Sequence, residues 1–282
     1  MKEKVALVLC GGGSQGAYEY GVWKFLREIN FQFDIVVGTS IGGINGAMIC
    51  YDGFEECGNL WRNASLENVF ENGINFDRHF LSKTFSFNSN SAFGKFLKDY
   101  SKIGGANIEP FKKLVRSNIN AQKVLDSNKL LGIVTTNKKG LQEVRITNKE
   151  MKNQEDVFDY LFATSAAFPI FPIYKCSKGE FLDGGWKNNL PIDYALELGA
   201  KKIIAVRLYS FPKVPQKEEL MNLPCVTVIE PTQEIGSIMK FKKSDFEKSI
   251  ELGYYDAAKI FGKYKGFIFT FEKFEFNEDE IH

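Results

Sequence analysis

Histidine is nearly absent from this sequence: among 282 residues there are only two, His79 and His282. Histidine is the usual general base for a serine or cysteine nucleophile, so each of the two has to be considered for that role. His282 stands at the end of the chain, where we expect a frayed tail, and His79 lies among aromatic residues without a glycine turn to present it. The sequence therefore argues against a Ser-His-Asp triad.

Cysteine is also scarce, and its five residues are scattered without a C-x-x-C pair: Cys10, Cys50, Cys57, Cys176 and Cys225. An odd and dispersed set argues against a zinc site or a disulfide framework. It favours a reducing, cytoplasmic location. A calcium loop of the D-x-D-x-D-G type is missing as well.

Long hydrophobic runs and a strong net charge are missing too. No run approaches the roughly 20 apolar residues that span a bilayer, and the run at 5–10 is too short for a signal peptide. Lys and Arg number 36 against 35 Asp and Glu, which argues against a nucleic-acid partner held by its phosphates. Contact with a membrane from the water side stays open.

Alternating strands and helices are what the sequence does contain. Apolar runs predict strands at 5–10 and 35–38, and helical stripes follow at 17–28 and 41–51. This order predicts an α/β fold with a parallel sheet covered on both faces by helices. Further strands are predicted at 131–136, 203–208, 226–229 and 266–276, and further helices at 156–164, 193–198 and 246–260. The length suits one large domain or two small ones, and because no linker divides the chain we predict a single domain over residues 1–282.

A glycine-rich loop follows the first strand and has two interpretations. Gly11, Gly13 and Gly16 match the dinucleotide fingerprint G-x-G-x-x-G. That fingerprint also needs an acidic residue at the end of the second strand, but the nearest acid, Asp34, precedes that strand. The other interpretation is that the backbone N–H groups of the loop bind an anion, either a phosphate or the oxyanion of an ester under attack.

A candidate nucleophile occupies the place where the acid should be. Residues 38–42 read G-x-S-x-G between a predicted strand and a predicted helix, with Ser40 at the centre and Gly38 and Gly42 on either side. In such a nucleophile elbow the serine sits on a sharp, strained turn, and the flanking residues must lack a Cβ atom. Asp183, on the turn Asp183-Gly184-Gly185, is the candidate base. Its other interpretation is a turn or helix-cap residue.

Together these motifs resemble the patatin-like phospholipase family. The matching segments are residues 11–18, 38–46, 165–172, 183–191 and 197–200, in the order of the family. The resemblance implies a three-layer α/β fold with a central, mostly parallel sheet and lipid acyl hydrolysis by a Ser40–Asp183 dyad without metal or cofactor. It implies an oxyanion hole at Gly11, Gly12 and Gly13 and a site wall that includes Pro169, Gly184 and Gly185. Family members usually carry Arg or Lys where this chain has Gln15, so the head-group preference stays open.

Two stretches outside these motifs have competing interpretations. Residues 52–105 form an aromatic-rich insertion whose phenylalanines either complete the core or cap an apolar pocket at a lipid surface. Residues 238–243 mix apolar and basic side chains, which suits either docking on an anionic membrane or packing inward.

Lipid acyl hydrolysis, of the phospholipase A or lysophospholipase type, is the function that the sequence favours. A soluble esterase or thioesterase is the alternative. A nucleotide-binding module and a catalytically silent interaction protein are less favoured. The partner is therefore a lipid or another ester.

Overall fold

The computed structural model describes residues 3–71, 92–209, 217–239, 241–266 and 271–272. Within these residues the chain begins with two strand–helix units. They are β1 (Val5–Leu9), α1 (Gly16–Glu28), β2 (Ile35–Thr39) and α2 (Ile41–Cys50). The four elements were all predicted from the sequence, with boundaries that differ by one residue.

The remaining elements continue the alternation. The helices are α3 (Phe54–Asn63), α4 (Leu66–Val69), α5 (Ala92–Ile103), α6 (Glu109–Asn118), α7 (Ala121–Asp126), α8 (Gln154–Thr164), α9 (Ile192–Glu197), α10 (Glu218–Met221) and α11 (Lys243–Ile260). The strands are β3 (Leu130–Asn137), β4 (Gln142–Thr147), β5 (Tyr174–Cys176), β6 (Gly179–Leu182), β7 (Lys202–Val206), β8 (Val226–Ile229), β9 (Tyr264–Lys265) and β10 (Phe271–Glu272).

The main sheet is mixed, with a parallel centre. Strands β3, β2, β1, β7 and β8 lie side by side and pair in parallel. The register sets Leu7 beside Val36 and Val36 beside Leu131. Strands β4 and β6 pair antiparallel with β3, and β5 continues from β6. The antiparallel strands β4, β5 and β6 were not predicted from the sequence.

Helices cover both faces of this sheet. Gly46 of α2 packs against Val36 and Leu131, whereas Tyr194 of α9 packs against Gly132. Consecutive strand residues point to opposite faces, so α2 and α9 lie on opposite sides of β3. The strands are apolar and almost wholly buried because both faces are covered. The predicted three-layer α/β fold is therefore confirmed.

Several sequence predictions fall on residues that the structure does not describe. His79, His282 and most of the phenylalanines between positions 70 and 100 lie outside the described residues. Within them, Phe70 is buried in the core with its ring 5.2 Å from that of Phe171, centroid to centroid. The strand predicted at 266–276 is described only in part, through the short antiparallel pair of β9 and β10.

Candidate active site

Ser40 lies on the sharp turn between β2 and α2. Its backbone has φ of 55° and ψ of −126°, a strained conformation for a residue with a Cβ atom. Gly38 and Gly42 make the turn possible: a Cβ atom at Gly38 would collide with the carbonyl group of Gly42, and one at Gly42 would lie 2.6 Å from the carbonyl oxygen of Leu9. This is the geometry that the G-x-S-x-G pattern predicts.

Thr164 holds the backbone of this turn from the end of α8. Its Oγ1 accepts a hydrogen bond of 2.8 Å from the amide of Ser40 and in turn donates to the carbonyl oxygen of Val134 in β3. The carbonyl oxygen of Ser40 accepts the amide of Gly43 at 2.9 Å. The Ser40 main chain is therefore fixed on both sides, and its side chain is left to face a cavity.

Asp183 follows β6 directly and contacts Ser40. The side chain of Ser40 lies close enough to the Asp183 carboxyl to lower its pKa, and Oδ1 of Asp183 accepts the amide of Gly185 at 2.7 Å. Burial raises the pKa of the Asp183 carboxyl to about 6, although Ser40 and the amide of Gly185 lower it. The carboxyl group thus caps its own turn and at the same time lies beside the candidate nucleophile, so the two interpretations of Asp183 are compatible.

The glycine loop lies beside Ser40. The amide of Gly11 donates to the carbonyl oxygen of Asn189 at 3.1 Å, so it is already committed within the fold. A hydrogen bond of 2.9 Å from the amide of Ser14 to the carbonyl oxygen of Ile238 closes the other end of the loop. The amides of Gly12 and Gly13 have no acceptor among the described residues. Of the three amides expected to form an oxyanion hole, these two are available.

The side chain of Gln15 lies beside the glycine loop, where a Cβ atom at Gly12 would be 3.2 Å from its Oε1. It is buried, and its Nε2 donates to the carbonyl oxygen of Gly236 at 2.7 Å. Its Oε1 has no hydrogen-bond partner within the described part of the chain. Gln15 therefore contributes an intramolecular tether here, and it adds no positive charge to the site.

A cavity of about 450 Å³ opens beside Ser40 and Asp183. Most of its wall is apolar, and Asp183 is the single ionisable group among its described lining residues. The lining residues are Gly11, Gly12, Gly13, Ser40, Ile41, Ile44, Leu60, Trp61, Ala64, Val69, Leu97, Phe111, Leu114, Val115, Ser165, Ala167, Phe168, Pro169, Ile170, Phe171, Asp183, Gly185, Trp186, Asn189, Ile238, Met239 and Phe241. Its volume is in the range of sites for small organic ligands.

Two of the three residues expected in the site wall line the cavity, and the third lies behind the wall. Pro169, which follows a cis peptide bond, and Gly185 line the cavity. Gly184 lies behind it, where a Cβ atom would collide with the carbonyl group of Val134. Leu60 and Trp61, from the stretch at 52–105, also line the cavity.

A family model confirms the kinship that these motifs indicate. The model described as Patatin-like phospholipase matches residues 7–196. The chain belongs to the patatin-like phospholipase family. The matched segment includes the glycine loop, Ser40, the wall at Pro169 and Asp183.

Curated relatives of this patatin-like chain are much longer proteins. It is 27% identical over 215 residues to "Lysophospholipase nte1" of Aspergillus terreus, an alignment that covers 72% of this chain and 12% of that protein. It is 28% identical over 206 residues to "Patatin-like phospholipase domain-containing protein 7" of Rattus norvegicus, covering 72% and 13%. The chain therefore spans about one eighth of the length of these relatives.

A solved structure supports the fold. The patatin-like chain aligns with the crystal structure of VipD from Legionella pneumophila with a TM-score of 0.57 and 13% identity, covering 92% of this chain and 67% of that one. At this identity the likeness concerns the fold alone.

Sequence reasoning missed the residues that hold the site from behind. Glu19 of α1 is fully buried, and it accepts hydrogen bonds from the amide of Cys10 and from Nδ2 of Asn45, the latter at 2.9 Å. Asn45 also accepts a hydrogen bond of 3.2 Å from Nε1 of Trp61. Burial raises the pKa of Glu19 well above its ordinary value. A charged residue type in a helix carries no signal that it will be buried, so the sequence could not identify this network.

Asn189 was visible in the sequence only as part of a family motif. Its neighbour Asn188 bonds Asp193 and Glu143, and the Asn188 carbonyl oxygen accepts Thr39 Oγ1 at 2.8 Å. Through these bonds the segment 188–189 joins the turn after Asp183 to both the elbow and the glycine loop.

The described residues lack both a metal-binding cluster and a membrane-spanning helix. No group of three or more His, Cys, Asp or Glu side chains in them is placed to hold a metal ion. None of their helices combines the length and apolar character needed to cross a bilayer.

Proposed function

We propose that this chain hydrolyses carboxylic esters of lipids through a Ser40–Asp183 dyad and an acyl-serine intermediate. The observation that carries the proposal is the placement of the strained Ser40 beside the buried carboxyl of Asp183, with both residues in the wall of an apolar cavity. Membership of the family and the names of the relatives support the same class of reaction. The subtype proposed is phospholipase A or lysophospholipase.

The reaction begins with attack by Ser40. Asp183 accepts the hydroxyl proton while Oγ of Ser40 forms a bond to the ester carbonyl carbon. The negative charge that develops on the carbonyl oxygen is held by the amides of Gly12 and Gly13, which bond no acceptor in the described part of the chain. The carbon–oxygen bond to the leaving alcohol then breaks, and Asp183 gives its proton to that oxygen.

Water completes the cycle. Asp183, again a carboxylate, accepts a proton from the attacking water as the water oxygen bonds the acyl carbon. The tetrahedral intermediate releases the fatty acid, and the proton returns to Oγ of Ser40. A carboxyl group with a pKa of about 6 suits both directions of transfer better than one at the usual 3.8, because it binds the proton more readily.

Lipid esters are favoured over small water-soluble esters by the cavity. Its wall is apolar beyond the candidate dyad, so an acyl chain would replace water against that surface with a gain from the hydrophobic effect. The nucleotide alternative is disfavoured because Ser40 occupies the end of β2, where a dinucleotide site needs an acidic residue.

Contact with a lipid surface is proposed through Trp186. This side chain lines the cavity and is 54% exposed, and it lies three residues after the candidate base Asp183. Trp favours the membrane–water interface, and the adjacent Lys187 is exposed and suits anionic head groups. By contrast, Met239 is buried and Ile238 lines the cavity with it, so the segment at 238–243 turns apolar side chains inward.

The test compares three proteins on micellar lysophospholipid, diacyl phospholipid and a short-chain ester. We expect Ser40→Ala and Asp183→Asn each to lower kcat by at least about 10³-fold while the melting temperature stays within a few degrees. Labelling with a fluorophosphonate should modify Ser40 in the wild type and be lost in Ser40→Ala. Full turnover by either folded variant would refute the dyad, and a wild type active only on short esters would favour the soluble esterase.

A further inference from the structure

Ser165 carries a buried hydroxyl that the fold itself does not use. The residue is 7% exposed, and its Oγ has no hydrogen-bond partner among the described residues. Leaving a buried hydroxyl unpaired costs free energy, and most such groups in proteins are paired. Ser165 also lines the cavity that contains Ser40 and Asp183. The Oγ atom itself has almost no accessible surface, so it would reach a bound molecule by rotation about the Cα–Cβ bond.

The neighbours of Ser165 place it between the two members of the candidate dyad. Thr164, one residue before it, accepts the amide of Ser40 at 2.8 Å. Ala166, one residue after it, accepts the amide of Asp183 at 2.9 Å. The backbone on either side of Ser165 is thus tied to the nucleophile and to the base, so its position relative to both is fixed.

The bound ester has two oxygen atoms, and different parts of the site contact them. The carbonyl oxygen binds at the glycine loop, where the amides of Gly12 and Gly13 have no partner among the described residues. The leaving oxygen must come within reach of Asp183, because Asp183 has to give it the proton taken from Ser40. The leaving oxygen therefore lies on the Asp183 side of the cavity. On that side the amide of Asp183 donates to the carbonyl oxygen of Ala166, the residue after Ser165.

We propose that the Ser165 hydroxyl donates a hydrogen bond to the leaving-alcohol oxygen of the bound ester. The inference rests on the proposed function and deepens it, because it adds a third side chain to the dyad. As the carbon–oxygen bond breaks, negative charge grows on the alcohol oxygen, and a hydroxyl turned toward that oxygen stabilises the charge by hydrogen bonding. The proton that neutralises the alkoxide still comes from Asp183, and Ser165 keeps its own.

Leaving groups of different basicity provide the test. Nitrophenolate is a stable anion that departs without help, whereas an alkoxide needs a donor and a proton. We therefore compare kcat/KM, which reports acylation, for a nitrophenyl ester and a glycerol ester of the same fatty acid. Ser165→Ala should lower kcat/KM by about 10- to 100-fold for the glycerol ester and by less than about 3-fold for the nitrophenyl ester. Ser165→Thr, which keeps the hydroxyl, should restore part of the loss on the glycerol ester.

Ser127→Ala is the matched control for loss of a buried hydroxyl. Ser127 is buried too, but it bonds the carbonyl oxygen of Cys50 and does not line the cavity. We expect Ser127→Ala to lower the melting temperature without changing the ratio of kcat/KM for the two esters. An equal loss on both esters in Ser165→Ala, or no loss on either, would overturn the inference. A wild type that hydrolyses neither ester would overturn the proposed function itself, and the inference with it.

Discussion

Asn189 and Gly11 are joined by two hydrogen bonds in opposite directions. The amide of Gly11 donates to the carbonyl oxygen of Asn189 at 3.1 Å, and Nδ2 of Asn189 donates to the carbonyl oxygen of Gly11 at 3.0 Å. The segment after the candidate base is thereby fastened to the first residue of the glycine loop. The loop is held at Gly11, while the amides of Gly12 and Gly13 have no acceptor within the residues that the structure describes.

This pair predicts the effect of removing the Asn189 side chain. Asn189→Ala deletes the bond to the Gly11 carbonyl oxygen and leaves the loop free to move away from the reacting carbonyl group. We expect kcat to fall by about 10- to 100-fold with a change in KM of less than about 3-fold, because the loop acts on the transition state. Steady-state kinetics on micellar substrate would measure the split, and a loss confined to KM would contradict the assignment.

The pH dependence of the reaction should follow Asp183. Burial raises the pKa of this carboxyl to about 6, and only its ionised form can accept the Ser40 proton. The rate should therefore rise with pH through about 6 and be constant above about 7. The measurement is kcat/KM from pH 4.5 to 8.5 with a neutral substrate.

A histidine also titrates in this range, so the profile needs a control. The double variant His79→Asn/His282→Asn should keep the rate and the inflection of the wild type. Loss of the inflection, or a collapse of the rate in the folded double variant, would show that a histidine is the general base.

Glu19 predicts an unusual dependence of stability on pH. Burial raises the pKa of Glu19 well above the ordinary 4.5, so the folded state binds this proton more tightly than the unfolded state. The protonated form contributes fully to the free energy of unfolding at low pH. This contribution decreases as the pH rises above about 4.5, the ordinary pKa that the unfolded state keeps. Glutamine resembles the protonated acid and cannot ionise. Glu19→Gln should therefore melt at least about 2 °C above the wild type at pH 8, and this difference should shrink towards pH 5.

Glu247→Gln is the control for that measurement, since Glu247 lies on the exposed side of α11. We expect its melting temperature to differ from the wild type by the same amount at every pH. A Glu19→Gln variant that is less stable than the wild type at pH 8 would show that the carboxylate is the favoured form.

Trp186 allows lipid binding to be observed directly. The chain has three tryptophans, of which Trp23 and Trp61 are buried at 3% and 2% exposure while Trp186 is 54% exposed. Vesicles containing anionic lipid should move the tryptophan emission to shorter wavelength, because the exposed ring leaves water. Trp186→Ala should abolish the shift and weaken vesicle flotation about tenfold, whereas Ile260→Ala, at the far end of α11, should change neither. An unchanged shift in Trp186→Ala would exclude this contact.

Much of the fold could be predicted because it follows from short, continuous patterns. The parallel strands are apolar runs, and α1, α2, α8 and α11 carry helical patterns. The sequence therefore predicts these strands and helices with small errors at their ends. Strands β5 and β6 have only three and four residues, and β4 is largely polar. Segments β4 and β6 become strands because β3 pairs with them, and β5 because β6 pairs with it in turn. No local pattern contains that condition.

The chemistry of the elbow is determined by local sequence. Glycine at positions 38 and 42 permits a tight turn that places Ser40 between a strand and a helix, and the shortage of histidine directs attention to a carboxylate as base. The tertiary structure alone decided that the Asp183 carboxyl lies beside Ser40 and that Glu19 is buried. It also decided that the amide of Gly11 donates to the carbonyl oxygen of Asn189. The physical reason is that hydrogen bonds and desolvation depend on distances between segments far apart in the chain, which only the packing of the sheet and its helices sets.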